Sequence, residues 1–159
     1  MSFRKLLLPF LTILLFATGT YWGVQSKGKS GAHLHPENQQ IVSKGKALYA
    51  DNCASCHGDE LEGQDDWKSL GDDGFMPAPP HDKSGHSWHH TDQLLFDLTK
   101  YGLGKIIGKK DYKTKMPIYD DVLTDEEIVA VLSYIKSRWP SDIQNRHDQM
   151  NAKNVKDKQ

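Results

Sequence analysis

The sequence predicts an all-α domain. Three segments carry the apolar spacing or the end signals of helices, and no run with the alternating pattern of a strand appears. Only 37% of the 159 residues are hydrophobic, which is low for a core built from side chains alone. The length leaves room for one domain with extensions.

The first predicted helix runs from about Gln39 to Asn52. Ile41, Gly45, Leu48 and Tyr49 recur at helical spacing and share one face. A glycine inside a helix costs about 1 kcal/mol relative to alanine, so we expect a packing reason for Gly45.

Two more helices follow later in the chain. The second begins at Thr91 as its N-cap and ends by Gly102, and it is expected to bury three leucines, Leu94, Leu95 and Leu98. The third begins at Thr124, which forms a capping box with Glu127. Its buried stripe is expected to contain Ile128, Val131, Leu132 and Ile135, and Pro140 stops it.

The strongest chemical signal lies directly after the first helix. Cys53 and Cys56 are the only two cysteines of the chain, and His57 follows at once. This Cys-x-x-Cys-His spacing is typical of covalent haem c attachment, in which two thiols form thioethers with the porphyrin and the adjacent imidazole ligates the iron. A haem would also supply the apolar surface that the composition lacks.

The two cysteines allow three other interpretations. A thioredoxin-like redox pair would require a βαβ pattern around it, and none is visible. A zinc site would need two further ligands. By sequence alone these could come from the histidines His81, His86, His89 and His90. A disulfide would close a very small loop and add little stability.

The chain divides into four predicted segments. Residues 1–25 form a signal peptide or transmembrane anchor, residues 26–40 a linker, residues 41–139 the domain, and residues 140–159 a polar tail that is either a frayed helix or disordered. Arg4 and Lys5 precede 19 uncharged residues, which could span a bilayer, whereas Ala17-x-Gly19 could be a cleavage site. Both alternatives place the domain on the periplasmic side, anchored in the inner membrane or free in the periplasm.

Between residues 41 and 139 the chain resembles a bacterial, single-haem class I c-type cytochrome with a membrane anchor. The resemblance rests on Gly45 and Tyr49 before the haem motif, on the Met116-Pro117 pair, and on Val131 and Tyr134 in the last helix. It is weak between residues 59 and 87. It implies a cytochrome c fold, in which N- and C-terminal helices cross around one covalently bound haem, here with an added N-terminal hydrophobic helix.

The resemblance also implies the ligand set. Cys53, Cys56, His57 and Met116 would bind the haem, with His57 and Met116 as ligands of the iron. Met76, or a histidine of the 86–90 cluster, remains an alternative second ligand. The second ring nitrogen of His57 would bond to a proline carbonyl, either that of Pro79 or that of Pro80.

Charge is segregated along the chain although the net charge is only −1. Acidic residues dominate positions 59–73, and lysines dominate positions 105–115. These runs are either solvated faces or a dipole whose lysines steer an acidic redox partner to the haem edge. The near-neutral charge does not suggest nucleic acid as a partner.

The expected function is one-electron transfer between respiratory-chain partners, with no catalytic residues and no enzymatic activity of its own. The alternatives are a haem subunit of a dehydrogenase or oxidase, a ligand-binding or sensor protein with an open sixth site, and a metal-handling protein that uses the histidines at 86–90. No triad or phosphate loop supports hydrolytic chemistry.

Overall fold

A computed structural model describes residues 31–156, and this part of the chain contains helices and loops but no strands. The helices are α1 (Gln39–Asn52), α2 (Ala54–His57), α3 (Asp92–Tyr101), α4 (Leu103–Ile106), α5 (Asp125–Ser137) and α6 (Ser141–Lys156), with a 3-10 turn at Ser87–His89. The all-α prediction is therefore confirmed. The predicted hydrophobic helix at residues 1–25 lies outside the described residues.

Helices α1 and α5 form the main contact of the fold. Gly45 lies at their crossing, where a Cβ atom would be 1.9 Å from the carbonyl oxygen of Ala130. Close by, the rings of Tyr49 and Tyr134 are 5.5 Å apart between centroids. The expected packing reason for Gly45 is confirmed, because only a residue without a side chain lets the two backbones approach this closely.

The ends of α1 and α5 are fixed by side-chain caps. The Asn38 side chain accepts hydrogen bonds from the first backbone N–H groups of α1. Thr124 and Glu127 form the predicted capping box, with bonds of 3.0 and 3.2 Å. Lys44 of α1 lies 3.3 Å from the Glu127 carboxylate, so the cap also joins the two helices.

Helix α3 begins after Thr91 and ends before Gly102, as predicted. Its buried face is shifted, however, because Leu95, Phe96 and Thr99 are buried whereas Leu94 and Leu98 are only half-buried. The expectation for those two leucines was wrong. They lie about 100° around the helix from Leu95 and Thr99, so they flank the core.

The segment predicted to be either a frayed helix or disordered contains α6 (Ser141–Lys156), so disorder is wrong for these residues, and the helix is docked instead of frayed. Ile143 and His147 of α6 are buried, and the His147 ring meets that of Trp139 edge-on with 5.0 Å between centroids. The sequence pattern missed this contact because α6 buries a histidine where a docked helix normally buries an apolar residue.

A buried polar cluster holds α6 and the N-terminal end of the described chain against α3 and α5. Its centre is Asp92, whose carboxylate accepts from Leu34 N (3.0 Å) and Asn151 Nδ2 (3.0 Å) and lies 4.0 Å from Lys136 Nζ. His147 Nε2 donates to His90 O at 2.8 Å and lies 3.6 Å from Asp92.

Because every member of this cluster has a partner, the buried charges are compensated.

Within residues 31–156, none of the helices combines the length and apolar character that a membrane crossing requires.

Candidate functional site

The two cysteines lie where α1 gives way to α2. Cys53 N donates to Tyr49 O at 2.8 Å, and His57 N donates to Cys53 O at 2.9 Å, so the three motif residues occupy one tight turn. Both thiols are free; Cys56 is exposed and Cys53 is half-buried. Burial raises the pKa of the Cys53 thiol to about 11, which keeps it protonated at neutral pH.

His57 is the buried member of the motif. It is 8% exposed, and its Nδ1 donates a hydrogen bond to Pro79 O at 2.8 Å. Since a carbonyl can only accept, Nδ1 carries the proton and Nε2 keeps a free lone pair. Burial lowers the pKa of His57, which favours the neutral form that a metal ligand requires.

Of the two predicted prolines, Pro79 is the one whose carbonyl accepts from His57. The position of this carbonyl is fixed by contacts within the loop that precedes it. Gln64 N donates to Ala78 O at 2.9 Å, and the Gln64 amide oxygen accepts from Ala78 N at 2.8 Å. At Gly63, which has φ +71°, a Cβ atom would lie 2.5 Å from Pro80 N. The segment that contains Gly63 can approach the segment that contains Pro80 this closely because Gly63 has no side chain.

Two tyrosines hold the ends of the motif turn. Tyr49 Oη donates to Gly58 O at 2.9 Å, and Tyr119 Oη donates to Asn52 O at 2.7 Å. Both rings are buried. Sequence analysis gave Tyr119 no role, although its position three residues after Met116 could have marked it as part of the same loop.

A further histidine lies against His57. The ring of His81 is stacked on the His57 ring, with 4.1 Å between centroids and 23° between planes. Its Nδ1 is hydrogen-bonded to Ser87 Oγ at 2.7 Å. Burial and the neighbouring His57 hold the pKa of His81 well below its usual range. Sequence analysis considered His81 only as a zinc ligand, and its position two residues after Pro79 was the available signal.

The two methionines that compete for the second ligand position lie on neighbouring loops. Met116 is 37% exposed, and its N–H donates to Thr114 Oγ1 at 3.0 Å. Met76 is 44% exposed and lines a cavity of about 330 Å³ together with Phe75 and Lys115. The Lys115 ammonium pairs with the carboxylate of Asp73, which ties the two loops together.

The rings of the 86–90 cluster contact other aromatic side chains. His86 stacks on Trp67 at 5.3 Å, His89 stacks on Trp88 at 3.7 Å, and His90 meets His86 edge-on at 5.3 Å. In the described part of the chain, no three His, Cys, Asp or Glu side chains are grouped closely enough to hold a metal ion. The zinc alternative and the metal-handling alternative therefore gain no support from this cluster.

Comparison with known proteins agrees with this geometry. The family model described as Cytochrome c matches residues 42–139. The subunit FixP of the cbb3-type cytochrome c oxidase from Sinorhizobium medicae (strain WSM419) is 26% identical over 104 residues, which cover 65% of this chain and 32% of the relative. FixP from Bradyrhizobium diazoefficiens is 30% identical over 105 residues, covering 60% of this chain and 29% of the relative.

The chain thus spans about a third of the length of the curated relatives it matches. No solved structure matches significantly.

The residues present fit the cofactor of that family. Two free thiols flank one turn, and the next residue is an imidazole whose Nδ1 is anchored and whose Nε2 is available. Helix α1 crosses α5 at Gly45, and this packing positions the Cys53–His57 turn that follows α1. The chain therefore belongs to the cytochrome c family as a class I c-type cytochrome, and its cofactor is one haem c attached covalently through Cys53 and Cys56.

Proposed function

We propose that this chain is a one-electron carrier whose haem is ligated by His57 and Met116, and that it passes electrons between respiratory-chain partners. The observation that carries the proposal is the state of His57, which is buried, anchored through Nδ1 to Pro79 and left with Nε2 free beside two attachment thiols. When bound, the haem supplies one-electron chemistry by cycling of its iron between the ferrous and ferric states.

The protein residues hold this site rigid. The Pro79 carbonyl fixes the tautomer of His57, and the hydroxyls of Tyr49 and Tyr119 fix the two ends of the motif turn. A site that does not rearrange between oxidation states suits electron transfer. This chain needs no general acid or base for that role, and we propose that it has no enzymatic activity of its own.

Met116 is proposed as the second ligand because it lies on the loop that leads from α4 towards α5, three residues before the buried Tyr119. Tyr119 N donates to Thr99 O at 3.3 Å and its hydroxyl reaches Asn52, so the loop is held at both α3 and the end of α1. A thioether ligand would stabilise ferrous iron and raise the potential.

The cellular location of the protein is proposed from the N-terminal sequence and from the similar proteins. Residues 1–25 would anchor the domain in the bacterial inner membrane, or direct it to the periplasm if they are cleaved. Because the similar FixP proteins are subunits of a cbb3-type oxidase, we propose that the partner is a membrane oxidase, which this chain serves as a bound subunit or as a tethered donor.

The deciding experiment is made on full-length protein matured in a host that attaches haem c. Intact mass should equal polypeptide plus one haem, and acid acetone should not extract the pigment. Cys53→Ala/Cys56→Ala should lose the covalent haem, whereas Ser55→Ala, a change between the two cysteines, should keep it. An unmodified mass in the wild-type protein would overturn the proposal.

The sensor alternative is tested on the same sample. A carrier with both axial positions filled should show no change in its reduced spectrum when carbon monoxide is added. A carbon monoxide adduct formed at neutral pH would instead favour an open or displaceable sixth site.

A further inference from the structure

The ring of His81 is stacked on the ring of His57. The two imidazole planes are 4.1 Å apart between centroids and 23° from parallel. The hydrogen bond from Nδ1 to Pro79 limits rotation of the His57 ring about its Cβ–Cγ bond, but hydrogen bonds tolerate a range of angles and therefore leave the ring plane some freedom to tilt. A flat neighbour stacked at van der Waals distance restricts that tilt, because tilting either ring would bring its edge into the other.

His81 is itself held from three directions. Its backbone N–H donates to Leu61 O at 2.8 Å, and its carbonyl accepts from Trp139 Nε1 at 2.8 Å. Its ring nitrogen Nδ1 is bonded to the hydroxyl of Ser87, a residue only 6% exposed. Neither the backbone nor the ring of His81 can therefore follow a movement of His57.

We propose that His81 is a positioning residue that sets the plane of the His57 imidazole, and through it the electronic structure of the haem. The inference rests on the proposed ligation of the iron by His57. The direction of an axial imidazole plane determines how its π orbitals overlap with the iron d orbitals. In oxidised low-spin haem this overlap sets the pattern of hyperfine-shifted haem methyl resonances, so the role of His81 has a direct spectroscopic signature.

The test compares His81→Leu with His81→Phe in oxidised holoprotein. Leucine fills space but has no flat face, so the haem methyl pattern should change and the midpoint potential should shift. Phenylalanine restores a flat ring without the Ser87 bond, so its methyl pattern should return towards that of the wild type. His89→Leu is the matched control, since His89 is exposed and stacks on Trp88, and it should leave both readouts unchanged.

An unchanged methyl pattern and an unchanged potential in His81→Leu would overturn the proposal. If that variant does not yield holoprotein, His81→Gln decides by the same two outcomes, because glutamine keeps a polar group near Ser87 but has no aromatic ring. Covalent haem is measured first on the wild type. Its absence would refute the proposed function, whereas bound haem with a methyl pattern insensitive to residue 81 would refute the role of His81 alone.

Discussion

Gly45 of α1 faces the backbone of Ala130 in α5 at a distance that leaves no room for a side chain, since a Cβ atom at Gly45 would lie 1.9 Å from the Ala130 carbonyl oxygen. The obstacle is backbone inside a helix, which cannot turn aside as a flexible side chain can. This contact sets how closely α1 and α5, the main packed pair of helices, approach each other, and α1 leads directly into the haem attachment turn.

Gly45→Ala should therefore destabilise the protein although alanine is the better helix former. The propensity gain is about 1 kcal/mol, but forcing the helices apart should cost more, and we expect a net loss of about 2 kcal/mol in the free energy of unfolding. Urea unfolding of the holoprotein measures it. Lys46→Ala, at an exposed position of the same helix, should change stability by less than about 0.5 kcal/mol. Equal stability of Gly45→Ala and wild type would contradict the expectation.

Met116→Leu should abolish the weak far-red absorption of the oxidised protein that arises from iron–thioether charge transfer, and it should lower the midpoint potential because the thioether stabilises ferrous iron. Leucine keeps most of the volume of the side chain, so the fold should persist. Met76→Leu is the matched control on the neighbouring loop and should retain the band. The reverse result, with the band lost only in Met76→Leu, would assign the second ligand to Met76.

Lysines on the loop after α4 should speed electron transfer to an acidic partner. Lys109, Lys110 and Lys113 are exposed, and replacing all three by glutamine should lower the second-order rate and flatten its dependence on ionic strength. Stopped-flow kinetics at several salt concentrations provide the measurement.

The control for these lysines carries the same change in net charge elsewhere. Lys46, Lys153 and Lys156 are also exposed but lie on α1 and α6, and glutamine at all three should alter the rate less. A wild-type rate that does not vary with salt would remove the steering role, because long-range attraction between charges is screened by ions.

His147 should make stability depend on pH. Burial lowers its pKa in the folded protein, and Lys136 acts in the same direction, while Asp92 and Asp148 oppose the shift. The unfolded chain therefore binds a proton at higher pH than the folded chain. Above about pH 6.5, His147 is neutral in both the folded and the unfolded chain and does not reduce the free energy of unfolding. As the pH falls from there towards the lowered pKa of His147 in the folded protein, the unfolded chain takes up a proton first and the free energy of unfolding decreases.

His147→Gln removes this titration, so its unfolding free energy should fall less than that of the wild type between about pH 7 and pH 5. Urea unfolding at a series of pH values compares the two slopes. His89→Gln, at an exposed position, is the control and should keep the wild-type slope. Parallel slopes for wild type and His147→Gln would show that His147 does not contribute.

The site and the main helices were largely readable from the sequence because their signals are local. The cysteines and His57 are read within five consecutive residues, and the bounds of α1 and the capping box of α5 depend on neighbours a few positions away. Gly45 stood out because a helix interior penalises glycine unless packing requires it. Whether Met116 ligates the iron remains a prediction from its place in the chain.

The tertiary structure decided what depends on partners distant in the sequence. It selected Pro79 over Pro80, placed the His81 ring on that of His57, and docked α6 through His147 and Asp92. The local sequence pattern does not predict these contacts, because a polar side chain is stable inside a protein only where groups distant in the sequence complete its hydrogen bonds. The sequence alone thus determined the chemistry of attachment, whereas folding determined which groups surround and orient the imidazole.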